Sequence, residues 1–471
     1  MSGKPATVVR GAWALTMDPA LGPVRDGAVA IGSDGSILDV GPAEAIVAAD
    51  PEAEVVGDGN GIVLPGLVNA HTHLSECLIG GMGETANLFE WFERVVNPAG
   101  RVIERSDMNV GTRLKSIEML RSGITTVNDM TCHRNLGAEV ALGAVDGLAA
   151  MGMRAIVSFG AEDAYPGAPR PEAFMAEHEE LADRISDEPL IGFRLGVGTV
   201  LGISPALFEM TVEAGREHGW GVHTHLAEVR EELSEARVRY GHGTIEEADR
   251  VGMLELEVIA GHCIWCGERD IGLLASRDVA VAHNPVANMI LASGICPVPR
   301  LLREGVAVGL GTDGAASNDN QDMFGVLKCA ALLQKVGALD AAAMTAPAVL
   351  EMATAGGARA LGLEGSIGSL SPGKRGDIVL LDGNTPELAA IHDPFQQVVY
   401  CATARCVSDV WVDGTRRLRG GEVIGADLRA LSGEAREAAV ALAKRAGLGA
   451  ESVYAGPGRL TESEAILERI G

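Results

Sequence analysis

The chain has 471 residues, 47% of them hydrophobic, and a formal net charge of −26. That length and apolar content suit one large domain plus a smaller one, and exclude a disordered chain. The negative charge repels phosphate backbones and anionic bilayers, which argues against nucleic-acid and membrane partners.

The N-terminus "MSGKPATVVRGAW" has no apolar h-region, and no apolar run approaches ~18 residues, so the expected location is the cytoplasm. The eight cysteines are scattered, unlike a secreted disulfide framework. Cys263 and Cys266 form one CxxC, but no second pair exists to complete a structural zinc site.

The first elements are short strands: "TVVRGAWALTM" (7–17), "GAVAIG" (27–32) and "SILDVG" (36–41), joined by tight turns. Near the other end, "GDIVLLD" (376–382), "FQQVVYCAT" (395–403) and "VSDVWVDGT" (407–415) read the same way. Two β-rich ends predict a small β-sandwich built from both termini, 1–62 and 366–425. Between them, eight short apolar strands alternate with helix-like stretches: 62–70, 123–130, 153–160, 190–197, 220–228, 257–263, 279–284 and 306–313. The helix "SPALFEMTVEAGREHG" (204–219) starts on Ser-Pro, a common N-terminal pair. The count predicts an α/β chain whose residues 63–365 form a (β/α)₈ TIM-like barrel. An open doubly wound sheet is the alternative, but no Gly-rich phosphate loop follows the first strand. Residues 426–471 read as a helical segment rich in Ala and Glu.

Chemistry in such a barrel gathers at the C-terminal strand ends. Six of the eleven histidines fall there: His71 and His73 on strand one, His223 and His225 on strand five, His262 on strand six and His283 on strand seven. Strand eight ends in Asp313, within "GLGTDGAASND". Any one of these is an ordinary strand-end side chain. Together, an HxH pair on one strand face, a strand-five histidine and one carboxylate offer three nitrogens and one oxygen, a donor set for Zn²⁺ or Fe²⁺.

The motifs "PGLVNAHTHL", "HTHLAE", "AGHC", "AHNPVANMILASGICPVPRLL" and "GLGTDGAASNDNQDMF" resemble the metal-dependent amidohydrolase superfamily. Within it they are similar to the branch holding atrazine chlorohydrolase and the guanine, melamine and S-adenosylhomocysteine deaminases. The likeness runs along nearly the whole chain, and the family fold it implies agrees with the strand count. It implies metal ligands His71, His73, His225 and Asp313, a proton shuttle at Glu228 and a catalytic histidine at His262, with Asp313 also acting as base. His223 and His283 match no metal position and are assigned to packing or pocket lining. No lysine lies between residues 116 and 327, so strands two to seven offer none to bridge a second metal. One Zn²⁺ per subunit is expected, with Fe²⁺ the other fit.

The resemblance implies a hydrolytic deaminase in which a metal-activated water displaces ammonia from a ring carbon. Trp91 and Phe92 are placed to stack on a ring, with Glu84, Ser317 and Asn318 to read its edge. Nucleoside-specific relatives carry a histidine after strand four and a glutamate nine residues past the pocket tryptophan. This chain has Gly198 and Gly100 there, so a small free nitrogen heterocycle is expected ahead of a nucleoside. Displacement of chloride or an alkylamine from a triazine is a further alternative, since the metal machinery would be the same. An inactive scaffold is disfavoured because Glu228, His262 and Asp313 are all present. Relatives of this kind are commonly homodimers or larger.

Overall fold

The computed structural model describes residues 5–83 and 85–449. Eight parallel strands follow one another around a barrel: Leu67–Thr72, Ile124–Thr131, Arg154–Ala161, Leu195–Thr199, Val222–Leu226, Val258–His262, Ala280–His283 and Val308–Leu310. The ring draws shut where the eighth strand returns to the first. There the Asp313 amide donates to the His71 carbonyl at 3.0 Å, and the Thr312 amide donates to the Asn69 side chain at 2.9 Å. Strands one, two, five and six are buried along their full length. Both faces are enclosed, so polar side chains such as Asn69, Thr125, Asn128 and Thr224 are buried within them along with the apolar ones.

The intervening helices follow local signals. Pro205–His218 begins on Ser204, whose hydroxyl accepts from the Leu207 amide, and ends on Gly219 at φ +67°. Arg105–Arg121 starts where the Asp107 carboxylate accepts from the Glu104 amide at 2.9 Å, and Gly123 at φ +79° turns the chain into strand two.

Two further sheets use both ends of the chain. One orders 37–42, 27–32, 5–10 and 54–56; the other orders 422–423, 415–419, 407–412, 378–381, 62–65, 13–15 and 23–25. Val9, Val29, Ile31, Val63, Ile378 and Trp411 share one core between them.

Several expected strands differ. The stretch 62–70 divides at Gly66: Ile62–Pro65 pairs with Ile378–Leu381 in the small sheet, and Leu67 opens the barrel. A Cβ on Gly66 would lie 2.1 Å from the Thr125 hydroxyl, so only glycine allows this crossing. The stretch 7–17 likewise splits into Pro5–Arg10 and Trp13–Leu15, in different sheets. Strand four breaks at Arg194 into Ile191–Phe193 and Leu195–Thr199.

The predicted strand at 395–403 is helical instead, over Pro394–Gln396 and Gln397–Cys401. Asp393 caps it by accepting from the Phe395 and Gln396 amides, with Pro394 at the first position, and this capping outweighs the β-branched pair Val398 and Val399. Within 426–471, Leu428–Ala446 forms a helix that packs Leu431 and Ala435 on Val110 and Ile117. Residues 450–471 lie outside the described part. Among the described residues no helix is long and apolar enough to cross a membrane.

Candidate active site

The strand ends bring His71, His73, His225, His262 and Asp313 into one buried cluster. His71 and His73 alternate onto the same face of strand one. His73 donates Nδ1–H to the Met130 carbonyl at 2.8 Å, and His225 donates Nδ1–H to the Gly198 carbonyl at 2.6 Å. Each Nε2 is therefore a bare lone pair, yet the two Nε2 atoms face each other at 3.2 Å. They cannot hydrogen-bond to one another in those tautomers. His71 Nε2 is buried without a partner, 3.4 Å from Asp313 Oδ1, and His73 Nε2 lies 3.5 Å from the same oxygen. Three converging lone pairs and a carboxylate fit a divalent cation.

Among the described residues, the groups able to hold a metal are His71, His73 and His225, and His71, His262 and Asp313; neither includes a cysteine. Electrostatics prepare the donors. Burial holds the pKa values of His71 and His73 down, that of His73 to about 4, and the neighbouring imidazoles add to it, so they stay neutral. Burial works against the charge of Asp313, but His71 and His262 hold its carboxyl well below the usual range.

His223 sits one layer below. Its Nε2 lies 2.7 Å from His71 Nδ1, its Nδ1 lies 3.2 Å from the Ser158 hydroxyl, and that hydroxyl donates to the Asp129 carbonyl at 2.8 Å. This histidine supports His71 directly, beyond the packing role expected of it. His283 is buried, with neither ring nitrogen partnered among the described residues.

Glu228 lies beyond strand five, after Ala227 at φ +51°. The Ala227 and Glu228 amides both donate to the Glu232 carboxylate, at 2.9 and 2.8 Å, which fixes the turn. Burial pushes the Glu228 carboxyl up to about 7, with His262 pulling it back. His262 donates Nδ1–H to Asn288 Oδ1 at 2.8 Å, leaving Nε2 3.7 Å from Glu228 and 3.6 Å from Asp313. Burial opposes its charge, but Glu228 and Asp313 outweigh that and raise its pKa. His262, Cys263 and Asp313 also have positive φ.

A narrow cavity joins His73, His225, Glu228, His262 and Asp313 to Trp91, Phe92 and Ser317. An adjoining cleft shares Phe92, Cys132, His225 and Glu228, and extends to Gly100, Arg134, Glu162, Gly198 and Thr199. Asn318, expected to read a ring edge, is not among the residues lining this cavity; its amide nitrogen donates to the Thr312 carbonyl at 2.6 Å, bracing the end of strand eight. Glu84 lies outside the described residues. The sequence reading missed Arg134, Glu162, Glu232 and Asn288. Of these, Asn288 alone had a signal, within the "AHNPVANM" motif.

The amidohydrolase family model matches residues 62–417. A 5-methylthioadenosine/S-adenosylhomocysteine deaminase of Syntrophobacter fumaroxidans is 39% identical over 405 residues, 85% of this chain and 90% of that protein. A 5′-deoxyadenosine deaminase of Methanosarcina acetivorans is 35% identical over 442 residues, 93% of this chain and 99% of that protein. Among solved structures, a zinc-bound adenosine deaminase from Xanthomonas campestris is similar with a TM-score of 0.87 and 31% identity, covering 94% of this chain and 100% of that one. Zinc-bound atrazine chlorohydrolase from Arthrobacter aurescens has a TM-score of 0.84 at 22% identity, covering 92% of this chain and 100% of that one, a likeness of fold. The chain belongs to the amidohydrolase family and is a hydrolase of carbon–nitrogen bonds.

Proposed function

We propose that the chain is a hydrolytic deaminase of an adenine-type nucleoside, holding one Zn²⁺ on His71, His73, His225 and Asp313. The observation that carries the metal reading is the pair of facing imidazole lone pairs of His73 and His225 beside the Asp313 carboxylate. A cation held by these residues would lower the pKa of water towards ~7 and so supply a nucleophile at neutral pH.

The chain's own residues supply the proton traffic. Asp313, kept ionised by its imidazole neighbours, accepts a proton from the attacking water. Glu228, protonated for much of the time near neutral pH, gives its proton to the ring nitrogen beside the amino-bearing carbon, which makes that carbon more electrophilic. His262, aimed by Asn288, steadies the charge that develops as the carbon becomes tetrahedral. Oxygen ends on the ring carbon, and ammonia leaves with a proton relayed through the two carboxyl groups.

Trp91 and Phe92 wall the cavity beside these groups and give a flat ring an apolar face. The absence of side chains at Gly100 and Gly198 favours a free heterocycle. The relatives above 30% identity weigh the other way, since their names are those of nucleoside deaminases. The triazine hydrolases, at 22%, speak only to fold.

The test is a panel of adenine nucleosides, free bases and chlorinated or alkylaminated triazines given to the zinc-loaded protein. Ammonia release from nucleosides is expected. Chloride or alkylamine release from triazines, with no ammonia from any nucleoside, refutes the proposal.

A further inference from the structure

The cleft beyond Glu228 has a polar wall that the proposed chemistry leaves unused. Glu162 follows strand three and enters the cleft with 20% of its side chain exposed. Its Oε1 accepts from the Thr199 hydroxyl at 3.0 Å, and its Oε2 accepts from Arg134 Nη2 at 3.0 Å. Arg134 is fixed in turn: its Nε donates to Asn97 Oδ1 at 3.0 Å, and its guanidinium lies 4.4 Å from the Tyr165 ring centroid.

Two glycines make room for this carboxylate. A Cβ on Gly198 would come 2.6 Å from Glu162 Cγ, and one on Gly202 would come 2.3 Å from Oε1. Gly100 contributes from the far side, accepting from the Arg134 amide at 2.9 Å. So the glycines at 100 and 198, where nucleoside-reading side chains were sought, border a preformed carboxylate instead.

A carboxylate has about four acceptor positions, and Arg134 and Thr199, the latter through both its hydroxyl and its backbone, occupy three. Glu162 lines the cleft, so acceptor capacity remains for a ligand there. Arg134 cancels the charge of Glu162, so the wall attracts no free anion or cation. It suits neutral donors, and paired hydroxyls match the two-oxygen spacing.

We propose that Glu162, braced by Arg134 and Thr199, accepts hydrogen bonds from the ribose hydroxyls of an uncharged nucleoside whose base lies against Glu228. The assignment rests on the nucleoside reading above. It makes Glu162, just after strand three, a substrate-binding residue.

The experiment compares kcat/KM for adenosine and its 2′,3′-dideoxy analogue in the zinc-loaded wild type, Glu162→Gln and Glu162→Asp. Wild type should prefer the ribonucleoside by about 10- to 100-fold, the usual range for a buried acceptor left without its donor. Glu162→Gln keeps the shape but loses acceptor strength, and should bring the two rates to within about threefold, chiefly by losing the ribonucleoside. Glu162→Asp, which retains the charge but withdraws it, should fall between. A variant ratio equal to wild type, or equal losses on both substrates, overturns the assignment, because a purely structural role predicts those. No wild-type preference for the hydroxyls overturns it as well. Failure of the wild type to deaminate either nucleoside, with free bases still deaminated, overturns the nucleoside reading itself and this assignment with it.

Discussion

His223→Phe should weaken zinc binding while sparing the fold. For His71 to offer Nε2 to a metal, its proton must sit on Nδ1, and that proton is donated to His223 Nε2 at 2.7 Å. Phenylalanine has a similar ring and no acceptor, so the bound state keeps a buried N–H unpaired, a penalty of ~1–3 kcal/mol. The metal-free protein escapes this penalty. His71 can move its proton to Nε2, which lies 3.4 Å from Asp313 Oδ1. The loss therefore falls on affinity, which should drop about 10- to 100-fold, tenfold for each ~1.4 kcal/mol. Competition against a chromogenic chelator measures the zinc dissociation constant, and thermal melting of the metal-free variant checks the fold. Affinity within about twofold of wild type, with an intact fold, would refute the tautomer argument.

Glu228→Gln should retain zinc yet lose about 10²- to 10⁴-fold in kcat, the span of general acid–base contributions; full turnover at unchanged metal content would remove its assigned role. His73→Ala deletes one of the facing nitrogens, so elemental analysis should find the purified variant largely zinc-free, and a full complement of zinc would contradict the ligand set. The pH profile follows from the raised Glu228 pKa. The protonated form is the proton donor, its folded pKa is about 7, and so kcat/KM should decline as pH rises past that value. A flat profile from mildly acidic to alkaline pH, with zinc retained, would exclude Glu228 as the donor that limits the rate.

The convergence of His71 and His73 was legible because strand periodicity carries it: two histidines one residue apart must share a face, whatever the rest of the fold does. That His225, His262 and Asp313 join them in one buried cluster was legible only through the motif resemblance. The role of His223 was not, because its bond to His71 depends on how strand five is staggered against strand one, which no local pattern encodes. Glu162 was hidden for a similar reason. Its pocket is made by glycines on another strand, and a missing side chain reads as loss rather than as room. The bond from the Asn318 amide nitrogen to the Thr312 carbonyl was equally hidden, because it depends on how the chain turns after strand eight. The left-handed backbone at Ala227, His262 and Asp313 left no trace in residue type, because the usual glycine marker is absent. The helix at 394–401 was legible in principle from Asp393-Pro394, but β-branched residues dominated the reading.

The shared sheet also sets an order of events during synthesis. Ile62–Pro65 emerges early, joined through Gly66 to the strand that carries His71 and His73, but its antiparallel neighbour Ile378–Leu381 lies roughly 300 residues further along. Until that segment leaves the ribosome, one edge of an entirely buried apolar strand has no partner. The nascent chain must shield this edge for most of translation, and a product truncated before residue 378 keeps it open for good. Such a fragment would contain every proposed zinc ligand and still present a sticky edge, making aggregation rather than simple loss of metal its natural fate.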